Sequence, residues 1–368
     1  MSSANSLRAK AFGSGAPRAA VAGSAASGKP TGKSGATKNS GAAKAATAQE
    51  AAPIAIRLRA WWHGIDAADL LPPPEPEPQA AQAAQAAEAA PEEAAETEAD
   101  FAAWSEARLK AAEIVVGDDC RSPIGPDLVV ETLKPLGLSN AKAMLDVSAG
   151  LGNAARKVAA TYGAWVSGLE SSSVLAQQGM ARSTEEGVAK KVPIIHADLE
   201  DLKKPEKAFD CVYGREAFYT VRNKSGLLKT LVEALKPGGE LVFTDYMLRT
   251  PDSYSTVVQE WLAGEPLTPH MWSVEQLIVL LRELRLDVRV TEDYSKPFRD
   301  LIVKRLEMLV TKNDVLTADP AQAEQLLHEV ELWGRRVKAL DGGDVQVFRV
   351  FARKTGSADG KIRAMSNW

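Results

Sequence analysis

The chain has 368 residues, with 44 Lys or Arg against 48 Asp or Glu, and a net charge of −4. That balance excludes a polycation built for nucleic acid. Its two cysteines, Cys120 and Cys211, supply neither a disulfide framework nor a metal cluster, so no metal site is expected. No apolar run approaches the roughly 20 residues that span a membrane.

The start carries no h-region or cleavage site, which points to a cytoplasmic protein. An acid-free start containing Arg and Ser also suits an organellar transit peptide, a reading ranked second because apolar periodicity is missing. Residues 1–49 hold seven Lys or Arg and no acid, and 67–100 hold nine acids and no base. Both stretches are too poor in large apolar residues to offset the entropy of ordering. The reading is therefore a disordered basic tail over 1–50 and a Pro-, Ala- and Glu-rich linker over 72–100. Between them, 51–71 is a short apolar island whose Trp61 and Trp62 are costly to leave in water. That pair docks either on the chain's own folded part or on a protein partner.

The folded domain is expected over 101–356, with a C-terminal tail over 357–368. Helical spacing over 101–116 puts Phe101, Trp104, Leu109 and Ile114 inward. A turn-rich loop, Asp118-Asp-Cys-Arg-Ser-Pro-Ile-Gly-Pro126, precedes a helix over 127–136 and is placed to cover a cofactor. The central stretch is Leu145-Asp-Val-Ser-Ala-Gly-Leu-Gly152, a strand that turns on two glycines into a helix. A second strand follows and ends on Glu170, a carboxylate able to accept two hydrogen bonds from a ribose diol. Strand, glycine turn, helix, strand and acid open a nucleotide-binding βαβ unit.

The alternation continues with a helix over 173–187, strands over 192–197 and 209–213, a helix over 224–236 and a strand over 240–245. Cys211, inside one of these apolar runs, reads as a small buried hydrophobe. Lys236-Pro-Gly-Gly239 is expected to stop the helix over 224–236. Past Tyr246, 249–272 reads as an irregular insert with Tyr254, Trp261, His270 and Trp272. Helices over 274–285, 297–312 and 320–339, a strand over 286–290 and a last antiparallel strand over 345–352 at the far side of the sheet complete the chain. The whole is an α/β, Rossmann-like, doubly wound and mostly parallel sheet with an antiparallel last strand.

These residues resemble the class I S-adenosylmethionine-dependent methyltransferases, strongly over 143–247 and in outline over 101–353. Leu145–Gly152 matches the family's glycine loop, Glu170 its ribose acid and Ala197-Asp198-Leu199 the stretch that brackets the adenine. Leu235-Lys-Pro-Gly-Gly-Glu-Leu-Val-Phe-Thr-Asp-Tyr246 matches the turn and strand after the fourth helix. Tyr213-Gly-Arg-Glu-Ala217 and Phe243-Thr-Asp-Tyr246 look like the small-molecule branch that includes phosphoethanolamine N-methyltransferases. Gly150-Leu-Gly-Asn-Ala-Ala155 also satisfies the nicotinamide dinucleotide fingerprint. Asp146 beside the turn, where a pyrophosphate disfavours a carboxylate, argues against that cofactor. The chain departs from the family at Ser148, usually a glycine, and at Thr220, where the phosphoethanolamine enzymes carry a histidine.

The resemblance implies S-adenosylmethionine bound by Asp146, Ser148, Gly150, Gly152, Glu170, Asp198, Leu199 and Gly214. Gly150 and Gly152 permit close approach, Glu170 takes the ribose, Asp198 the adenine amino group, and Asp146 the methionine ammonium. Asp198 as a helix N-cap and Asp146 as an acid satisfied by backbone amides are the plainer readings. On the acceptor side the candidates are Arg215, Glu216, Tyr219, Tyr246, Arg249 and His270. Arg215 or Arg249 holds an anion, or Arg215 forms a structural bridge to Glu216 or Asp245. His270 is a base or merely exposed, and Trp261 and Trp272 wall an amine pocket or form the insert's core. The expected partner is a small-molecule acceptor, methylated at nitrogen, with no specific nucleic acid. The competing reading is a cofactor-binding module without turnover that acts through a protein partner.

Overall fold

The structure, a computed structural model, describes residues 56, 57, 60, 104–117, 121–251, 254–311 and 320–356. The basic tail, the Trp61-Trp62 pair, the linker, Phe101, Cys120 and the C-terminal tail lie outside the described residues. Beside the Trp pair, Ala60 is buried and Arg57 comes within 3.8 Å of Glu331.

The elements in chain order are α1 (Glu106–Val115), α2 (Pro126–Leu133), β1 (Ala143–Asp146), α3 (Asn153–Tyr162), β2 (Trp165–Glu170), α4 (Ser173–Glu185), β3 (Ile194–His196) and β4 (Phe209–Arg215). They continue with α5 (Lys224–Ala234), β5 (Leu235–Leu248), α6 (Thr256–Ala263), α7 (Val274–Glu283), β6 (Leu286–Asp293), α8 (Ser295–Thr311), α9 (Pro320–Gly342) and β7 (Val345–Lys354). A seven-stranded sheet runs β3-β2-β1-β4-β5-β7-β6. The pairs from β3 to β5 are parallel, and β7 is antiparallel to both neighbours. The last strand therefore inserts between β5 and β6, and β6, not β7, forms the far edge. β7 is fully apolar on its inward positions Val345, Val347, Val350 and Ala352, whereas β6 carries exposed Arg289, Val290 and Thr291 suited to an edge.

Strand periodicity divides the core into two layers. Met144, Cys211, Tyr213, Val242 and Tyr246 pack with α2, α3, α6, α8 and α9. Their chain neighbours Leu145, Val212, Leu241, Phe243 and Met247 pack with α5 and α7 on the opposite face. Cys211 is fully buried, and burial pushes its thiol far above the usual range.

Several local expectations are corrected. Trp104, just before α1, and Leu109 and Ile114 within it pack against the core as expected but only half-buried, while Arg108, Ala111, Ala112 and Val115 are the buried positions. Arg108 tolerates burial because it donates to Glu329 on α9 at 2.9 Å and lies 4.7 Å from the centre of the Trp104 ring. The Lys236-Pro-Gly-Gly239 segment belongs to β5 as well as ending the helix. The β4–β5 register slips between Phe209 and Cys211, and Gly238 takes the required positive φ of +77°. The region 249–272 contains a regular helix, α6, capped by the Ser255 hydroxyl accepting from Val258 N.

The buried Arg108–Glu329 pair joins α1 to α9. Glu329→Leu alone removes the charged acceptor that Arg108 meets on α9 and is expected to lower unfolding free energy by about 1–3 kcal/mol. Arg108→Met with Glu329→Leu is expected to recover most of that in a urea titration; equal losses in the single and double variants contradict the assignment.

Candidate active site

β1, β2 and β4 end at one edge of the sheet, beside the point where strand order reverses between β1 and β4. A cleft of about 270 Å³ opens there, lined by residues that include Arg121, Ser148, Glu170, Asp198, Glu216 and His270. One wall comes from the β1–α3 turn. Gly150 and Gly152 have φ of +54° and +79°, which glycine adopts without strain. A Cβ on Gly152 would lie 2.9 Å from both Arg156 and Ile194, so this glycine serves packing beneath the turn rather than close approach by a ligand.

Glu170 stands at the end of β2 and is 1% exposed. Its Oε2 accepts from Gly150 N at 2.8 Å, and its Oε1 from Ser172 N at 3.0 Å and from Arg121 Nη1 at 2.9 Å. One carboxylate thus ties the glycine turn, the start of α4 and the 121–125 loop together. Arg121 was not among the candidates; its signal was its place in the turn-rich loop already marked as a cover.

Asp146 is fully buried, and its Oδ1 accepts from Ser148 N at 3.0 Å and Ser148 Oγ at 3.1 Å. The Ser148 hydroxyl in turn accepts from Arg215 N at 2.7 Å, and the Arg215 guanidinium donates to Ile124 O at 2.9 Å. Arg215 is thereby built in as a strut between two loops. Ser148 keeps an ordinary φ, so its side chain fits the turn without strain. Asp198 is exposed and forms an Asx turn, with Oδ1 accepting from Glu200 N at 2.8 Å, and no helix follows it. Leu199 lines the cleft behind it, whereas Gly214 lies under the turn, its added Cβ 3.1 Å from Val147.

The other wall follows β4. Glu216 has a φ of +46°, uncommon outside glycine, and its amide donates to Thr244 O at 2.8 Å. Its Oε1 accepts from Thr244 Oγ1 at 2.6 Å, while Oε2 is buried without a hydrogen bond. Burial holds this carboxyl above the usual range, against the Ser122 and Thr244 hydroxyls and the charges of Arg215 and Arg336. Thr220 and His270 complete the wall. His270 is mostly solvated, and burial together with Lys224 and Arg222 holds its imidazole below its ordinary value. Lys224 donates to Val221 O at 2.5 Å and to His270 O, fastening this wall, and its ammonium is 5.5 Å from the Trp272 ring centre. Burial pulls that ammonium down to about 8, against the attraction of Asp245 and Glu200.

Other acceptor-side candidates fall elsewhere. Tyr219 does not line the cleft; its hydroxyl joins Glu265 Oε2 at 3.1 Å and Arg336 at 3.4 Å. Arg336 makes two bonds to Glu265, at 2.8 and 2.7 Å, and Trp261 Nε1 adds one at 2.6 Å. Burial pushes the Tyr219 phenol up, which removes it as a ready proton acceptor. Trp261 stacks on Tyr219 and packs at a tilt against Tyr246 in the core of the insert, and Trp272 faces Lys224; neither lines the cleft. Tyr246 lies inside β5 and Arg249 donates to Gly343 O at 2.8 Å, away from the cleft. Glu265 and Arg336 were missed because their pairing spans 71 residues, beyond any local pattern.

A family described as methyltransferase domain matches residues 144–239. The chain is 26% identical over 212 residues to phosphoethanolamine N-methyltransferase 1 of Zea mays, covering 58% of this chain and 41% of that protein. It is 35% identical over 104 residues to the glycine/sarcosine/dimethylglycine N-methyltransferase of Actinopolyspora halophila, covering 28% and 18%. It thus spans well under half the length of these curated relatives. In fold it is similar to the Haemonchus contortus phosphoethanolamine N-methyltransferase 2 solved with phosphomonomethylethanolamine and S-adenosylhomocysteine. That likeness has a TM-score of 0.61 at 21% identity, over 70% of this chain and 59% of that one.

The convergence of three chain segments on Glu170 makes it the decisive probe. Glu170→Gln keeps the volume and removes the charge, and is expected to weaken S-adenosylmethionine binding by at least about tenfold, or ~1.4 kcal/mol. Calorimetric titration of the full chain, with NAD as control ligand, checks this; unchanged affinity removes Glu170 from the site.

Proposed function

We propose that this chain, a member of the class I S-adenosylmethionine-dependent methyltransferases, moves a methyl group onto the nitrogen of a small polar acceptor held at Glu216. The residues around the cleft suit the cofactor. Glu170 offers a buried carboxylate to a ribose diol, and Asp198 keeps Oδ2 toward an adenine amino group. Gly150 turns the chain at positive φ under the hold of Glu170, and buried Asp146 places negative charge behind Ser148, which lines the cleft, for an ammonium. When bound, the cofactor supplies a methyl group activated by a sulfonium.

Glu216 carries the acceptor side of the reading. It is the cleft-lining carboxyl with a buried oxygen left without a hydrogen bond, held by a strained backbone at the end of β4. An amine hydrogen satisfies that oxygen. An ammonium must also shed a proton to expose its lone pair, and Oε2 receives it. Because burial raises this carboxyl above its ordinary range, the ionised form is a stronger base than a solvated glutamate. Thr244 fixes Oε1, so the free oxygen has one direction. Positioning supplies much of the remaining rate, since aligned reactants reach effective molarities of about 10⁵–10⁸ M. The N-methyltransferases among the relatives support nitrogen as the acceptor atom.

The test is transfer of labelled methyl from S-adenosylmethionine to phosphoethanolamine, glycine or sarcosine by the full chain, with a sterol as the carbon-acceptor control. Product on an amine supports the reading; product on the sterol alone overturns it. Glu216→Gln is expected to lower kcat by about 10²–10⁴-fold, with cofactor affinity within threefold of wild type. The raised carboxyl also sets the sign of the pH dependence. Wild-type rate rises with pH as Glu216 ionises, above the range of an ordinary glutamate, and that limb is absent from Glu216→Gln.

A further inference from the structure

Glu170 has more donors than a ribose-binding carboxylate can keep. Its Oε1 already accepts from Ser172 N at 3.0 Å, Arg121 Nη1 at 2.9 Å and Ser171 Oγ at 3.3 Å. Among the described residues, Oε2 accepts only from Gly150 N, at 2.8 Å. Each carboxylate oxygen offers about two lone-pair directions, so a diol that engages both oxygens needs a place on Oε1. Ser172 N is fixed as the N-cap of α4, and the Ser171 hydroxyl is a rotor adjacent in the chain. Arg121 alone among these partners reaches in from a separate loop, and its side chain is 25% exposed. It is the partner a diol displaces.

The displaced guanidinium stays at the same cleft, which it lines together with Glu216, Thr220 and His270. Arg215, the other cleft-lining arginine, is held by Ile124 O and Ser148 O, and Arg249 is held by Gly343 O outside the cleft. A guanidinium that has lost its carboxylate in a partly buried cleft is stabilised by a new oxyanion, which it can bind through two parallel hydrogen bonds.

We propose that Arg121 and the cofactor's ribose compete for Glu170, and that Arg121, once released, becomes the oxyanion site for the acceptor, so that the cofactor binds first. The proposal rests on the methyltransferase reading of the cleft. It makes the two ligands thermodynamically coupled: cofactor creates the anion site, and by linkage the anion tightens cofactor binding by the same factor.

The experiment is calorimetric titration of inorganic phosphate, and separately of acetate, into the full chain alone and into the chain saturated with S-adenosylhomocysteine. Wild type is compared with Arg121→Met and Arg121→Lys. One or both anions are expected to bind at least tenfold more tightly to the saturated protein, and the better one identifies the oxyanion as phosphoryl or carboxylate. Arg121→Met is expected to lose that gain while binding S-adenosylhomocysteine as tightly as wild type or tighter, and Arg121→Lys to retain part of it. Equal anion affinity with and without S-adenosylhomocysteine overturns the proposal, as does a gain that survives in Arg121→Met. A tenfold loss of S-adenosylhomocysteine affinity in Arg121→Met also overturns it, since Arg121 would then hold the cofactor. Failure of wild type to bind S-adenosylhomocysteine is a different result: it refutes the cofactor reading itself, and this proposal with it.

Discussion

A single buried carboxylate fixes the geometry on which the cleft depends. Glu170 receives the amides of Gly150 and Ser172 on different oxygens, so the glycine turn after β1 and the start of α4 are positioned by one side chain. Parallel strands deliver their ends to one edge, but the turns beyond them have no ladder to hold them. A charged acceptor between two such turns replaces the missing ladder, and hydrogen bonds to a charged group are roughly twice as strong as neutral ones. Asp146 does the same one strand away, through Ser148, and Ser148 passes the constraint to the end of β4. Three strand ends are thus coupled by two acids and one hydroxyl. The serine that departs from the family's glycine is a working link in that chain.

Behind the opposite wall, buried ionic groups of a different kind brace the chain. Glu265 and Arg336 satisfy each other by two hydrogen bonds, with Trp261 and Tyr219 taking the remaining directions. Lys224 binds two carbonyls and sits in the field of Asp245. Replacing such groups by packed apolar side chains is often neutral or stabilising, so net stability does not account for them. Their geometric effect is specific: Lys224 and the Tyr219 carbonyl both fasten residue 270, and through it the segment that faces Glu216.

The parallel half of the molecule was legible because its signals are local. Glycine turn, strand-end acid and helix stops lie within short windows, and Glu170, Asp198 and Ser148 all line the cleft that those windows implied. The antiparallel half was less so. An apolar alternating strand marks β7 as buried, yet nothing in its own residues states that it slips between β5 and β6. Helix α1 misled for a related reason: Arg108 reads as a surface residue until Glu329, 221 positions away, is known to meet it. Tyr219 and Arg215 were chosen for chemistry and place in sequence. The structure commits the first to Glu265 and Arg336, and the second to carbonyls of two loops, while the neighbouring Glu216 is left with an oxygen to spare.

The position of β7 also governs the order in which the chain can become a protein. β5 has β4 on one side and, on the other, only a strand that ends at Lys354. During synthesis, more than 90 residues leave the ribosome between Leu248 and Val345 before that edge is covered, and β6 emerges with no partner at all. For that interval the nascent chain exposes Val242, Tyr246 and an open strand edge, the features that recruit chaperones and seed misassembly. The β3–β5 half, with the cleft's acids, can consolidate early. Completion of the sheet waits for the final strand, so loss of the last dozen described residues would leave β5 and β6 unjoined rather than merely shortened.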